Sequence, residues 1–539
     1  MRLEEQYAIP PSKLMQHYIN GEHTIRRYFT HEPSMEALAE RLETLRNHGA
    51  DREKLAGILR NYMGAREISP AAEAHLADLE NGAPVVVTGQ QAGLLTGPLY
   101  TVHKAISVIV LARQASEQLG TKVVPIFWIA GEDHDLAEIS HMYREVNHRI
   151  DKLNFPHTEY GKHSASTAIL NKEKMHGYLN EYFRSLPETE HSKKLHELAF
   201  GFLEESQTYT DYFAAFLNYF FKEEGLLYID AADSKLRQYE SSYFVKMIER
   251  SEAIAEKVYT AEQALVTDGY SAVIGAEAQA ANLFVTVNGE RILLQREDDL
   301  FVGNNGAVSF SFDELMEVAK TAPERLSNNV VTRPLMQELV FPVLTFVGGP
   351  GEIAYWAALK GAFTVMGMEM PVIMPRLSMT LVNRQVQSLL EKYKLTFGDV
   401  VNGREIAVLR NELLESVREQ EAESLVDQLQ KTLQKEYQKI DEQFSKVSKG
   451  LAPLVEKNLQ IHLKQLSFLK HKLQDEVLLQ NSTQFNHYAL IENELLPNYG
   501  FQERIFTPFP YMNEYGIDLV KDLLQLPIQY DKNHKIIYF

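Results

Sequence analysis

The sequence predicts an α/β protein: a parallel-sheet core that carries a β-containing insertion and a long helical arm. Three observations carry that prediction. Val85-Val86-Val87-Thr88 and Val123-Val124-Pro125-Ile126-Phe127-Trp128-Ile129-Ala130 are apolar runs of strand length, joined through a helix-patterned stretch. Strands connected this way lie parallel, with a right-handed crossover. Residues 341–347 and 371–375 repeat the arrangement around a second glycine-rich loop. Beyond Leu381 the composition turns to Glu, Gln, Lys and Leu in long periodic stripes.

Composition narrows the class. A chain of 539 residues exceeds one ordinary core, so more than one domain is expected. With 45 % hydrophobic and 24 % charged residues, the composition is that of a soluble globular protein. No apolar run approaches the length of a transmembrane helix. The acidic start, Met1-Arg2-Leu3-Glu4-Glu5-Gln6, lacks the apolar core of a signal peptide, so a cytoplasmic location is expected. The absence of cysteine excludes disulfides, a cysteine nucleophile and Cys-ligated zinc, and no zinc is expected. A net charge of −19 argues against nucleic acid as a partner, since that footprint needs a basic surface.

In chain order, residues 1–80 are rich in helix formers that pack on the sheet, with Ser34 as a helix cap. The first strand runs into Gly89-Gln90-Gln91-Ala92-Gly93-Leu94-Leu95-Thr96-Gly97-Pro98-Leu99-Tyr100. Ile106, Ile109, Val110 and Arg113 then mark a helix that Gly120 closes. Histidines 141, 148, 157, 163, 176, 191 and 196 show no His-x3-His spacing and read as surface or hydrogen-bonded residues. The aromatic helix over 210–224 belongs to the core. Gly225-Leu226-Leu227-Tyr228-Ile229-Asp230 is a further strand ending in an acid, and Asp230 and Asp233 serve either as helix caps or as substrate contacts.

Asn288-Gly289 between alternating runs is a hairpin signal, placing a small β-containing insertion at about 261–335. In the arm, Val426, Leu429, Leu433, Tyr437, Ile440, Phe444 and Val447 are spaced 3, 4, 4, 3, 4, 3, close to a coiled-coil seam. Gly450-Leu451-Ala452-Pro453 breaks it before a second stripe, which predicts an antiparallel helical hairpin. The expected division is a core over 1–380, the arm over 381–480, and a segment over 481–539 packing on both.

In open parallel sheets ligands bind at the carboxyl ends of the strands. That places the site at the first glycine-rich loop and at Gly131-Glu132-Asp133-His134-Asp135, which leaves the second strand. Glu132, Asp133 and Asp135 can hold an amino group, orient a sugar hydroxyl or bind Mg²⁺, and one of them can act as a general base. Gln90 and Gln91 do not titrate and serve as positioning groups. The Gly348-Gly349-Pro350-Gly351-Glu352 loop can present backbone N–H groups to an anion.

Thr96-Gly97-Pro98-Leu99-Tyr100-Thr101-Val102-His103 resembles the His-x-Gly-His region of class I aminoacyl-tRNA synthetases and related nucleotidylyltransferases. His103 falls on the second histidine of that motif, while Tyr100 replaces the first and Val102 its glycine. The resemblance implies a Rossmann-like core in which such donors stabilise charge on the phosphates of ATP. A wider set of runs is similar to the cysteine ligases of bacillithiol biosynthesis. These are Gly89 to Leu94, Gly97 to Tyr100, Phe127-Trp128, Glu132 to Asp135, Arg333-Pro334, Gly348 to Trp356, Pro375-Arg376 and Gln502-Glu503-Arg504.

That resemblance implies the joining of cysteine to the amine of glucosaminyl-malate. It also implies connecting-peptide insertions and a coiled-coil domain that makes homodimers. The expected catalytic residues are His103, Asp133 and Asp135; the expected substrate contacts are Gln90, Gln91, Tyr100, Glu132, Asp230 and Glu352. An adenine nucleotide, ATP or ADP, is expected at Gly89, Gly97, Gly348, Gly349, Arg376 and Ser378. A nucleotidylyltransferase of another small substrate and a non-catalytic nucleotide-binding scaffold are the alternative readings.

Overall fold

Five apolar runs assemble into one parallel sheet: β1 (Val85–Gln90), β2 (Val124–Ile129), β3 (Leu227–Asp230), β4 (Val343–Gly348) and β5 (Val372–Pro375). The computed structural model describes residues 1–10, 12–156, 161–417 and 419–539, so His157 lies outside the described residues. The strand order is β5-β4-β1-β2-β3, with every pair parallel. All six residues of β2 and of β4 are buried, because both sheet faces are covered. The chain runs outward from β1 to β2 and β3, then returns to lay β4 on the other side of β1. The order therefore reverses between β1 and β4, the place where such sheets open a ligand crevice.

Helices leave the strand ends as the sequence patterns require. The helix α1 (Tyr100–Leu119) follows β1 and stops at Gly120, whose φ of 63° is the left-handed conformation that glycine adopts without strain. The helix α2 (Ser234–Glu249) follows β3 and is capped by Asp233, which accepts from the N–H groups of Lys235 and Leu236. The short α3 (Pro350–Trp356) follows β4.

The insertion is a five-stranded antiparallel sheet built from residues 280–311 and Leu326–Asn328. Its central hairpin turns at Asn288 and Gly289, with φ of 51° and 84°, as two-residue hairpin turns require. A further sheet joins Arg2–Gln6, His534–Tyr538 and Met379–Val382. Helix propensity over residues 1–80 gave no sign of that first strand, whose partner lies at the far end of the chain.

Contacts divide the chain into two units, Met1–Val382 with Pro497–Phe539, and Asn383–Leu496. The last 43 residues thus belong with the sheet-bearing unit, while the helix Ser482–Leu495 belongs to the helical one. Within the helical unit, Gln420–Val447 and Ala452–Gln480 run antiparallel around the turn at Lys449–Leu451. Asp427 meets Lys470 at 2.8 Å and Gln430 meets Ser467 at 3.2 Å, with Tyr437 bonded to Asn458 nearer the turn.

Candidate active site

A cleft of about 980 Å³ opens at the carboxyl ends of β1, β2 and β4. Ten of the expected residues line it: Gly89, Gln90, Gln91, Tyr100, Glu132, Asp133, Asp135, Gly349, Glu352 and Arg376. Gly348 and Ser378 line a smaller neighbouring pocket of about 80 Å³, which shares Arg376 and Arg504 with the cleft. Gly97, His103 and Asp230 line neither.

Lys104, in the first turns of α1, bridges the reversal point of the sheet. Its ammonium donates to Gly89 O at 2.7 Å and Gln90 Oε1 at 2.8 Å, and pairs with Glu352 Oε2 at 2.5 Å. Glu352 Oε2 also accepts from the Gly349 N–H at 2.8 Å. One carboxylate therefore ties the loop after β4 to the helix after β1. Burial pulls the Lys104 ammonium below the usual lysine range, and Glu352 offsets part of that. The sequence signal for Lys104 was the one lysine or arginine between Tyr100 and Ala112 of that helix, beside the glycine loop.

Gly89 is needed here for packing, since a Cβ would stand 2.7 Å from Trp128 O on β2. Gly97, at φ 70°, bonds its own N–H to Leu94 O at 2.8 Å.

A second network gathers on Glu503. Arg376, just past β5, donates to it through both Nη atoms at 2.6 and 2.7 Å. His103 Nδ1 at 2.8 Å, Ser378 Oγ at 2.8 Å and the Met379 N–H at 3.2 Å complete its set. Burial opposes the Glu503 charge, yet Arg376 and the bond from His103 outweigh it and hold the carboxyl well below the usual range. His103 has no exposed surface, and burial pulls its imidazole down, so a neutral ring donates through Nδ1. His103, expected to be catalytic, and Arg376 and Ser378, both expected at the nucleotide, thus converge on Glu503, which stood in the sequence only as part of a motif. Tyr100 stands over this hub, with the Arg376 guanidinium 5.8 Å from its ring.

The acids after β2 are held in graded fashion. Glu132 is paired with Arg237 of α2 and accepts from Asn328 N at 3.2 Å. Asp133 accepts from Gln91 Nε2 at 2.7 Å and from the Asp135 N–H at 3.2 Å, while Gln91 also reaches Glu138 at 2.7 Å. The Asp135 carboxylate lines the cleft with no side-chain partner among the described residues. Arg504 does the same with a guanidinium. Asp230, by contrast, turns to Ser166 Oγ at 2.5 Å and the Ala232 N–H at 2.9 Å. Gly131 leaves room for that arrangement, since a Cβ there would come within 2.4 Å of Asp230 Oδ1. Burial pushes the Asp230 carboxyl up to about 6. Among the described residues no group of three or more His, Asp or Glu side chains forms a metal cluster.

Comparison with known proteins points in one direction. Residues 1–377 match the family model described as bacillithiol biosynthesis BshC, N-terminal Rossmann-like domain. Residues 379–539 match the model of the C-terminal coiled-coil domain of the same family. The protein named "Putative cysteine ligase BshC" from Lysinibacillus sphaericus is 42 % identical over 538 residues, covering 100 % of both chains. Proteins of the same name from Geobacillus kaustophilus and Bacillus cereus are 38 % and 34 % identical over 98 % and 99 % of both chains.

Proposed function

The chain belongs to the BshC family of bacillithiol biosynthesis, and on that premise we propose that it is a ligase joining cysteine to the amine of glucosaminyl-malate, with ATP activating the cysteine carboxyl. One observation in the cleft supports this most. A free carboxylate, Asp135, follows β2, and a free guanidinium, Arg504, stands with Arg376 beyond β5. In the sheet order β2 and β5 lie on opposite sides of the crevice between β1 and β4. A substrate carrying an amine at one end and carboxylates at the other fits that polarity. Asp135 holds the amine and takes its proton, while Arg504 receives a malate carboxylate. Asp133, fixed by Gln91, orients the sugar. His103 acts here by positioning Glu503, and through it Arg376, below Tyr100.

Activation of a carboxylate needs a leaving group, which ATP supplies. In this reading the loops at Gly89 and Gly349 with Arg376 face its phosphates, and Mg²⁺ enters with the nucleotide. The arm makes a homodimer: Leu429 is 51 % exposed, Phe444 47 % and Val447 81 %, a stripe that a second copy can cover. Light scattering should then give twice 61.6 kDa. No described helix is long and apolar enough to cross a membrane, and the reading places the enzyme in the cytoplasm, with its small-molecule substrates.

The test is purified protein with glucosaminyl-malate, cysteine and ATP, followed by mass spectrometry with each component omitted in turn. Bacillithiol should form only in the complete mixture. Asp135→Asn and Arg504→Gln should each lose product while melting normally. Bacillithiol formed at an unchanged rate without ATP would remove the activation step. No product from the complete mixture would remove the ligase reading.

A further inference from the structure

The wall of the cleft after β2 holds a histidine to which the sequence reading gave no role. His134 is half-buried between Asp133 and Asp135, its ring edge-on to Phe284 at a centroid distance of 5.7 Å. Arg291, from the inserted sheet, lies 3.6 Å from the same Phe284 ring. Its guanidinium donates to Ser327 Oγ at 2.9 Å and to Asn328 O at 2.5 Å, which fixes its direction. The remaining Nη1 points at His134 Nδ1 from 3.1 Å.

A guanidinium has no lone pair, so Nδ1 has to be the acceptor. In the neutral ring the proton then sits on Nε2. His134 lines the cleft, and among the described residues Nε2 has no partner. The surrounding charges act in both senses. Burial and then Arg291 disfavour the imidazolium, Asp133 and Asp135 favour it, Lys162 disfavours it, and the net result is a pKa below the usual histidine range. Protonating Nδ1 would also turn an N–H against an N–H of Arg291.

Resting on the ligase reading above, we propose that the His134 Nε2–H is a neutral hydrogen-bond donor to the acyl oxygen of the activated cysteine. As the sugar amine attacks, its nitrogen forms the new C–N bond and the carbonyl π pair moves onto that oxygen. Collapse of the tetrahedral intermediate breaks the bond to the phosphate-bearing leaving group derived from ATP, and the amine's proton passes to Asp135. A donor locked in one tautomer needs no reorganisation as charge develops, which is the condition for strong transition-state stabilisation. A neutral donor also keeps its proton, so the oxyanion returns its electrons to carbon.

Two readouts test this, one independent of activity. In protein labelled with ¹⁵N-histidine, two-bond ¹H–¹⁵N spectra should show His134, identified by its loss in His134→Gln, with an unprotonated Nδ1 and a protonated Nε2 around neutral pH. Arg291→Met should mix the two tautomers. A protonated Nδ1 in the unmutated protein overturns the proposal. In the bacillithiol-forming assay, His134→Gln places an amide N–H near the Nε2 position and should keep most of kcat. His134→Asn cannot reach that position and should lose about 10²–10³ in kcat with little change in KM for cysteine. Equal losses in the two variants, or an effect confined to KM, overturn it as well. If the unmutated protein forms no bacillithiol, the ligase reading falls and this inference with it. If product forms and the spectrum or the Gln–Asn contrast fails, only the donor role of His134 falls.

Discussion

Glu503 and Asp230 are both carboxylates closed off in the sheet-bearing unit, 1 % and 6 % exposed. Glu503 faces the Arg376 guanidinium through both oxygens, and also accepts from the neutral donors His103, Ser378 and the Met379 N–H. Asp230 receives only neutral donors, Ser166 and the Ala232 N–H, and among the described residues no cation pairs with it. Burial raises the cost of charge on both. The pair teaches that the whole donor set decides the sign of the outcome: Glu503, gripped by Arg376 through both oxygens and by three further donors, is held well below the carboxylate range, while Asp230 is pushed up to about 6. One guanidinium contact alone is not enough, since burial pushes Glu240 beside Arg237 and Glu338 beside Arg41 up to about 8. A carboxylate of the first kind is scaffold, fixing Arg376 at the cleft. One of the second kind changes charge near neutrality.

The largest expected effect comes from breaking the first arrangement. Glu503→Gln leaves Arg376 buried against a neutral amide, and removing one partner of a buried pair costs about 3–5 kcal/mol. Urea denaturation at neutral pH should show that loss. The linkage has a definite sign. A depressed folded-state pKa contributes stability that is present above the unfolded carboxylate value and disappears as pH falls through the folded one. The acid limb of the stability profile should therefore flatten in the variant. A loss under about 1 kcal/mol would mean that the hub is not held by charge.

The contrast also explains what was legible in the sequence. All five strands of the parallel sheet, the Asn288-Gly289 hairpin and the two arm helices were readable, because each is written in a window of a few to thirty residues. The same holds for the acid-bearing loop after β2. Glu503 was not readable as a hub: His103 lies 400 residues away, and no local pattern encodes that meeting. The pairing of Arg2–Gln6 with His534–Tyr538 was hidden for the same reason. Asp230 was correctly placed at a strand's carboxyl end, but the side to which its oxygens turn is set by Ser166, on a loop with no periodicity of its own.

A middle-sized effect sharpens the Asp230 side. Its folded pKa is raised, so its contribution is fully present below the unfolded aspartate value and is lost as pH rises through about 6. The rise from the ordinary aspartate value to about 6 corresponds to about 3 kcal/mol at most. Asp230→Asn cannot acquire the charge. The variant should therefore gain on the unmutated protein between about pH 4 and pH 8, by up to that amount. Parallel stability curves across the window would show that Asp230 ionises as freely in the fold as in the unfolded chain.

The smallest expected effect isolates a single hydroxyl on each carboxylate. Ser166→Ala removes the 2.5 Å bond to Asp230 Oδ2, and Ser378→Ala removes the 2.8 Å bond to Glu503 Oε1. Around pH 5 Asp230 is largely protonated, so Ser166→Ala loses a bond between neutral groups, about 1 kcal/mol. As pH rises Asp230 takes on charge, and a donor to a charged group is worth about 1.5–3 kcal/mol. The cost of Ser166→Ala should therefore grow with pH, and the variant should push the Asp230 carboxyl still higher. Glu503 is charged throughout that window, so the cost of Ser378→Ala should stay flat. Thermal or urea unfolding of both variants at several pH values reads the difference directly. Two flat profiles would mean that Asp230 does not titrate there; two rising ones would mean that Arg376 does not hold Glu503 in its charged form.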